Sequence, residues 1–589
     1  MSLSKVFRKD EGGRLYSKDE SGRRKDENQG EVSSSSFTES FIPHLLRRPF
    51  RFAVRFHNRI VCYMAKAILV ATLTSPPSRE GEELTALADT AEWLEVRADL
   101  TGDIDADWLR SRFSGRLLYS LRSRFEGGNF EDSGLRRRDR ILKASRHYDI
   151  IDLECDRDLS PGLLAEIPPE KRLISWHGTA SDFKGLRAKF EQMAMVEALG
   201  YKLVPKAVRT GDELIALRLL KSLNRTDTVA FAAGQTGFWT RLVAPHLGAR
   251  IVFGSAGKKR ENNKKDSFPQ SEVSFPQSEP SLSQLIEDYG LPALVPFETI
   301  YGIVGSPISH SLSPRLHNAA YRALGRPALF MPFHADSFAA YWQNVAGNGA
   351  LDALGFSLKG LTVVSPHKEA ALKMAGASSS VVKRAASTNI FIRKNGIWKA
   401  DTTDPEGVLL TLGERGVKVA GKKVAVIGCG GSGRAMAAAL DQAGARVVLV
   451  NRGLERGRLA VELLGLPFVR LSEFSAEGLS IVVNATPVGR DDGEMPFRVE
   501  GLSRDAVVVD LVYGSARTPL VEKAMAQGRT AIDGREVLLT QVRRQFQLMT
   551  GEEMPLHLGL EIVGRKAEAV TSAPVGLCDK DFHLRAHEP

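Results

Sequence analysis

Cysteine is scarce: Cys62, Cys155, Cys429 and Cys578 are scattered through 589 residues and form no CxxC pair. That spacing excludes a disulfide framework and a zinc site, and it suits a reducing cytoplasm. Long apolar runs are missing too. No stretch approaches the roughly 18 uninterrupted apolar residues of a membrane span. Neither a recognition helix nor a zinc-finger pattern accompanies the net charge of +10, so the sequence points to no membrane and no nucleic-acid partner. Basic residues gathered around carboxylates and phosphates account for such a charge.

The length exceeds what one core supports, since compact domains stop growing at roughly 250–300 residues. Residues 1–63 read differently from the rest, a mixed-charge, Ser-rich stretch running into the basic, aromatic LLRRPFRFAVRFHNRIVCY. No apolar segment follows the early charges, which argues against a signal peptide. The acids Asp10, Glu11, Asp19, Glu20, Asp26 and Glu27 argue against a transit peptide. The expectation is a disordered, dispensable extension ahead of a start at Met64.

From Ala67 short β-rich runs alternate with amphipathic ones, the pattern of parallel strands joined by crossover helices. Candidates are AILVATL, WLEVR, RLLYSLR, DIIDLEC, RLISWH, KLVPKAV, TVAFAAG and RIVFGS, the eight that a TIM barrel needs. Such barrels carry their chemistry at the carboxyl ends of the strands. Glu95, Arg97, Arg122, Glu126, His177 and Lys206 gather there, with Arg241 on the helix after strand seven. A lysine inside a barrel is costly to bury charged, so its pKa falls and a nucleophilic amine becomes available for Schiff-base chemistry with a ketone. A nearby histidine moves protons, and arginines grip a carboxylate. Singly, each has a structural reading; their convergence on one face favours a site.

The motifs EVRAD (95–99), LRxxxEGG (121–128) and SWH (175–177), with the Lys206 strand, resemble type I 3-dehydroquinate dehydratase over about 64–290. The resemblance implies that Lys206 forms the imine, His177 is the general acid and base, and Glu126 orients His177. It further implies that Glu95, Arg97, Arg122 and Arg241 bind ring hydroxyls and carboxylate, without a metal. The family's Ser-Ala-Pro-Gly-Gln lid is replaced by a long polar segment in which SFPQSE occurs twice, at 267–272 and 274–279. Ser274 and Gln277 are the lid candidates.

A new pattern starts after Pro292. Ser311 and Ser313, in GSPISHSLSPRLHN, are hydroxyls suited to a carboxylate. The run KKVAVIGCGGSGRAMAAALDQAGARVVLVNR (422–452) has the strand, Gly-rich turn, helix and strand of a dinucleotide fold. Gly428, Gly430, Gly431 and Gly433 lie at the turn. Arg452 ends the second strand where an NAD-preferring site carries an acid, which favours a 2′-phosphate and hence NADPH. With GxxVxSPHKE (360–369), Thr403-Asp404, NATPVG (484–489), DLVYG (510–514) and GREVLLTQVRRQF (534–546), the half resembles shikimate dehydrogenase over about 300–565. That implies Lys368 and Asp404 as the catalytic pair. Ser311, Ser313, Thr388, Tyr513 and Gln541 would bind substrate, and Asn451, Arg452 and Thr486 the NADP cofactor with the glycines. Thr362, Val364 and the inverted pair Thr388-Asn389 depart from the common bacterial pattern and leave quinate open as a substrate.

The expected architecture is α/β: an extension (1–63), a (β/α)8 barrel (64–292, with an insertion at 256–279), a substrate domain (300–403, completed by 537–565), a Rossmann NADP domain (404–536) and a tail (566–589). The expected activities are dehydration of 3-dehydroquinate followed by NADPH reduction of 3-dehydroshikimate in the cytoplasm, on small-molecule substrates; the oligomeric state is left open. The rival readings are a single-activity shikimate or quinate dehydrogenase with an altered barrel lid and a metabolite-sensing pseudoenzyme.

Overall fold

The computed structural model describes residues 65–564, apart from 132–133, 181, 258–278, 310, 491 and 515, together with short strands among the first 63 positions. The chain divides into two units, Met1–Tyr63 and Met64–Pro589. In the first, Arg8–Lys9 pairs antiparallel with Leu15–Tyr16, and Ala53–Phe56 with Arg59–Cys62. The lid candidates Ser274 and Gln277 and the tail 566–589 lie outside the described residues.

The second unit begins with the barrel. Its strands are β1 (Ile68–Leu73), β2 (Trp93–Arg97), β3 (Arg116–Ser120), β4 (Ile150–Glu154), β5 (Arg172–Gly178), β6 (Gly200–Pro205), β7 (Thr228–Ala230) and β8 (Ile251–Ser255). They form one parallel sheet in the order β7-β6-β5-β4-β3-β2-β1-β8, so the last strand returns to the first. Both strand faces are covered, which is why apolar residues occupy both parities. Leu94 and Val96 of β2 face the helices, whereas Trp93 packs inside with Val70, Leu118, Ile150, Leu173 and Val229. Toward the carboxyl ends the inward positions turn polar yet stay buried: Thr72, Glu95, Arg97, Asp152, Glu154, Ser175, His177 and Lys202. Three helices of this half matter below: α1 (Leu214–Leu223), α2 (Phe238–Val243) and α3 (Leu282–Tyr289).

Two more sheets follow. The substrate domain has β9 (Thr299–Gly305), β10 (Ala328–His334), β11 (Ser357–Val363), β12 (Ala377–Ser378), β13 (Ile390–Lys394) and β14 (Ile397–Asp401), ordered β10-β9-β11-β13-β14-β12. The dinucleotide domain has β15 (Lys423–Ile427), β16 (Arg446–Asn451), β17 (Phe468–Arg470), β18 (Ile481–Asn484), β19 (Val507–Asp510) and β20 (Thr530–Ile532). Its order, β17-β16-β15-β18-β19-β20, is the doubly wound parallel arrangement with a crevice where the order reverses, between β15 and β18. Helices α4 (Ser313–Ala323), α5 (Asp404–Glu414), α6 (Gly431–Gln442) and α7 (Gly534–Thr550) frame the two domains. Helix α7 returns to the substrate domain, burying Val542 and Phe546 among Tyr301, Leu316, Tyr321 and Phe330.

Barrel and substrate domain share one continuous apolar core. Trp239 of α2 meets Phe333 of β10 edge to face at 5.3 Å, and Phe297 stacks on Phe356 at the same distance. Around them, Lys221 of α1 donates to the Ala353 carbonyl at 2.8 Å, and Arg315 of α4 pairs with Asp288 of α3 at 2.6 Å. Trp239 is 1% exposed, so Trp239→Ala leaves a cavity in this seam. The expected cost is about 3–5 kcal/mol, read from the denaturant midpoint; an unshifted midpoint would mean that the seam contributes nothing to stability. Among the described residues no helix is long and apolar enough to cross a membrane.

Candidate active sites

The inward polar residues of the barrel converge on one pocket, lined by Thr72, Glu95, Arg97, Arg122, Glu126, His177, Lys202, Arg241 and Glu279 with Val204, Phe231 and Ala233. Glu126 ends a short 3₁₀ turn after β3 (Arg124–Glu126), and its Oε2 accepts from the His177 backbone N–H at 3.1 Å. The same oxygen lies 2.8 Å from His177 Nδ1. Arg122 holds that carboxylate in place, donating to Glu126 at 3.0 Å, Ser175 at 2.8 Å and Asp152 at 2.6 Å. Its guanidinium is thus engaged with the barrel wall. Arg97 is engaged too, forming a two-point pair with Asp99 at 2.9 and 2.8 Å.

One expected residue is misplaced. Lys206 is exposed, one position past the end of β6, where only its backbone continues the ladder. The lysine inside the pocket is Lys202. Lys202 aligns with Ser175 and Val204 with His177, so Lys202 sits one inward step below the histidine. At about 3.3 Å per residue, Lys206 lies roughly 13 Å farther along the strand. Both lysines have inward parity; depth separates them. The Lys202 ammonium is 3.8 Å from Glu95 and 3.7 Å from the centre of the Phe253 ring.

The electrostatics suit proton transfer. Burial lowers the Lys202 pKa, opposed by Glu95 and Asp152. Burial, reinforced by Arg122, Lys202, Arg97 and Arg241, holds His177 well below the usual histidine range. Burial also raises the Glu126 pKa, with Glu154 and Asp152 adding to it and Arg122 opposing. Burial therefore disfavours the protonated imidazole and shifts the Lys202 amine toward its neutral form, the forms that accept a proton and attack a carbonyl.

The second site lies between the substrate and dinucleotide domains. Lys368, opening the short helix Lys368–Leu372, contacts Asp404 at the start of α5 at 2.5 Å. It also donates to Ser432 of the Gly-rich turn at 2.7 Å, a contact that sequence reasoning missed. Asp404 Oδ1 accepts from Asn389 at 2.6 Å and from Gln541 at 3.2 Å. Thr388 is a second correction: fully buried, it donates its hydroxyl to the Asp401 and Ile390 carbonyls at 2.7 and 3.0 Å, and the adjacent Asn389 reaches the site instead. The Ser311 hydroxyl accepts from the Ser313 N–H at 3.2 Å, with Tyr513 beside it.

The turn after β15 fits a dinucleotide phosphate. A Cβ on Gly433 would fall 1.7 Å from the Gly428 carbonyl oxygen, so the helix packs this closely only with glycine there. Gly430 faces open space at the amino end of α6, where backbone N–H groups favour an anion. Asn451 shapes the turn, its Oδ1 accepting from the Cys429 N–H at 3.2 Å, and Arg452 is exposed beside it. Thr486 gives both its N–H and its hydroxyl to Asn484, at 3.0 and 2.7 Å.

Comparison with known proteins follows the same division. The type I 3-dehydroquinase family matches residues 69–271, and the shikimate dehydrogenase substrate binding domain matches 303–391. The bifunctional 3-dehydroquinate dehydratase/shikimate dehydrogenase, chloroplastic, of Arabidopsis thaliana is 26% identical over 521 residues, covering 81% of this chain and 82% of that protein. The shikimate dehydrogenase (NADP(+)) of Thermococcus kodakarensis is 34% identical over 256 residues, covering 43% of this chain and 91% of that protein. A Thermus thermophilus shikimate 5-dehydrogenase solved with NADP(H) and shikimate is 30% identical over 45% of this chain and 98% of its own, with a TM-score of 0.40.

Proposed function

Because the chain belongs to the shikimate dehydrogenase family and carries a type I 3-dehydroquinase barrel ahead of it, we propose that it dehydrates 3-dehydroquinate and then reduces the 3-dehydroshikimate formed, using NADPH. The observation that carries the first step is a buried lysine below a Glu-held histidine in one pocket. The Lys202 amine adds to the substrate ketone and water leaves, giving an imine that draws electrons from the adjacent carbon. Neutral His177 removes the proton there, and the imidazolium, steadied by Glu126, returns it to the departing hydroxyl. Hydrolysis of the imine frees the enone and restores Lys202. Glu95 stays beside the amine, and Arg241 binds the carboxylate.

In the second site Ser311 and Ser313 hold the carboxylate, and Lys368 with Asp404 flanks the carbonyl. NADPH, when bound, supplies the hydride. Gly428, Gly430, Gly431 and Gly433 would hold its pyrophosphate, and Arg452 its 2′-phosphate. Lys368 delivers a proton to the carbonyl oxygen, while Asp404, fixed by Asn389 and Gln541, keeps the ammonium aimed. The working units are read as 64–292 and 300–565. A reducing cytoplasm suits the buried, free thiols of Cys155 and Cys429.

Purified protein given 3-dehydroquinate and NADPH should yield shikimate; accumulation of 3-dehydroshikimate with NADPH unspent would remove the second activity. Arg452→Asp should lower kcat/KM for NADPH roughly tenfold to a hundredfold, the worth of charge-assisted bonds to a phosphate. The NADPH-to-NADH ratio is the readout, and an unchanged ratio would exclude Arg452 as the phosphate ligand.

A further inference from the structure

The cations of the barrel pocket all have carboxylate neighbours, but one neighbour differs in origin. Arg97 pairs with Asp99, Arg122 with Asp152 and Glu126, and Lys202 faces Glu95, all on the strands β2 to β4 or the chain just after them. Arg241 pairs instead with Glu279, at 2.9 Å, with the two side chains 11% and 13% exposed. Glu279 comes from the chain that follows β8. The next residue is anchored, since the Ser255 N–H donates to the Pro280 carbonyl at 2.8 Å. Ser281 then caps α3 through the Gln284 N–H at 3.1 Å. The backbone thus holds Glu279 over the pocket, where its side chain reaches the largely buried guanidinium.

We propose that Glu279 is an internal stand-in for the substrate carboxylate: it pairs with Arg241 through Nη1 before substrate binds, and an incoming carboxylate competes with it for that guanidinium. This rests on the reading of Arg241 as the carboxylate ligand. A buried guanidinium stripped of its counter-ion is costly, so an internal anion stabilises the empty site. Two carboxylates on one guanidinium edge repel, so the internal one competes with substrate. Competition lowers apparent affinity by the fraction of molecules in which Arg241 is available. Glu279 therefore sets how tightly the dehydratase takes its substrate and acts through Arg241, without touching the reacting carbon.

The test is steady-state kinetics of the full chain with 3-dehydroquinate. Glu279→Gln and Glu279→Ala should each lower KM, by about tenfold, with kcat moving less than KM and the reductase KM for 3-dehydroshikimate unchanged. Arg241→Met should raise the dehydratase KM. If it does while neither Glu279 variant lowers KM, the stand-in role is overturned and the Arg241 reading survives. A fall with Gln but not with Ala also overturns it, because the gain then comes from a new amide bond. An unaltered KM in Arg241→Met overturns the reading of Arg241 itself.

Discussion

Borohydride added to the protein with 3-dehydroquinate should fix the substrate on the peptide carrying Lys202 and leave Lys206 unmodified. Depth in the barrel is the reason: Lys202 is 6% exposed among Glu95, Phe253 and the Glu126-held histidine, whereas Lys206 stands at the rim. Burial lowers the pKa of the inner amine, which raises the share of the neutral form that attacks a ketone. Lys202→Ala should cost on the order of 10⁴-fold or more in dehydratase kcat, as when a nucleophile that works as a unit with its base is removed. Lys206→Ala should change it by less than about threefold, since surface substitutions disturb little. Reductase turnover, followed as NADPH loss with 3-dehydroshikimate, serves as the folding control. A trapped adduct on Lys206, or dehydratase activity in Lys202→Ala, would overturn the assignment.

The second large effect is expected at Asp404. Its two oxygens accept from Lys368, Asn389 and Gln541, so the site presents three donors to one carboxylate. Asp404→Asn removes the charge that aims the Lys368 ammonium and turns an amide donor toward other donors. Reductase kcat should fall by about 10²–10⁴-fold, the usual worth of a positioned acid–base pair, with dehydratase activity retained. The assay is NADPH oxidation by 3-dehydroshikimate, and a variant retaining more than about a third of wild-type kcat would exclude Asp404 from aiming the proton donor.

Much of this architecture is legible in the chain itself. Alternation of short β-rich runs and longer amphipathic ones marks the barrel strands, because burial on both strand faces leaves a local imprint. The Gly-rich turn is equally plain: Gly433 tolerates no Cβ beside the Gly428 carbonyl, and that steric demand is written in a few adjacent residues. Where sequence reasoning fails, it fails by a few residues along the chain. Thr388 and Asn389 differ by one position: the Thr388 hydroxyl is held by the Asp401 and Ile390 carbonyls, whereas the Asn389 amide is held by Thr403 and Asp404. Glu279 carries no signal, since it belongs to a polar, duplicated segment and gains meaning only beside Arg241, 38 positions away.

Periodicity and steric demand are short-range properties, so the order of the elements and the close packing of the nucleotide turn follow from neighbouring residues alone. Which of two lysines of equal parity is enclosed, and which carboxylate rests on Arg241, is settled by the assembled fold. Those outcomes depend on strand register, on where β6 ends, and on desolvation by groups distant in the chain, none of which has a local signature.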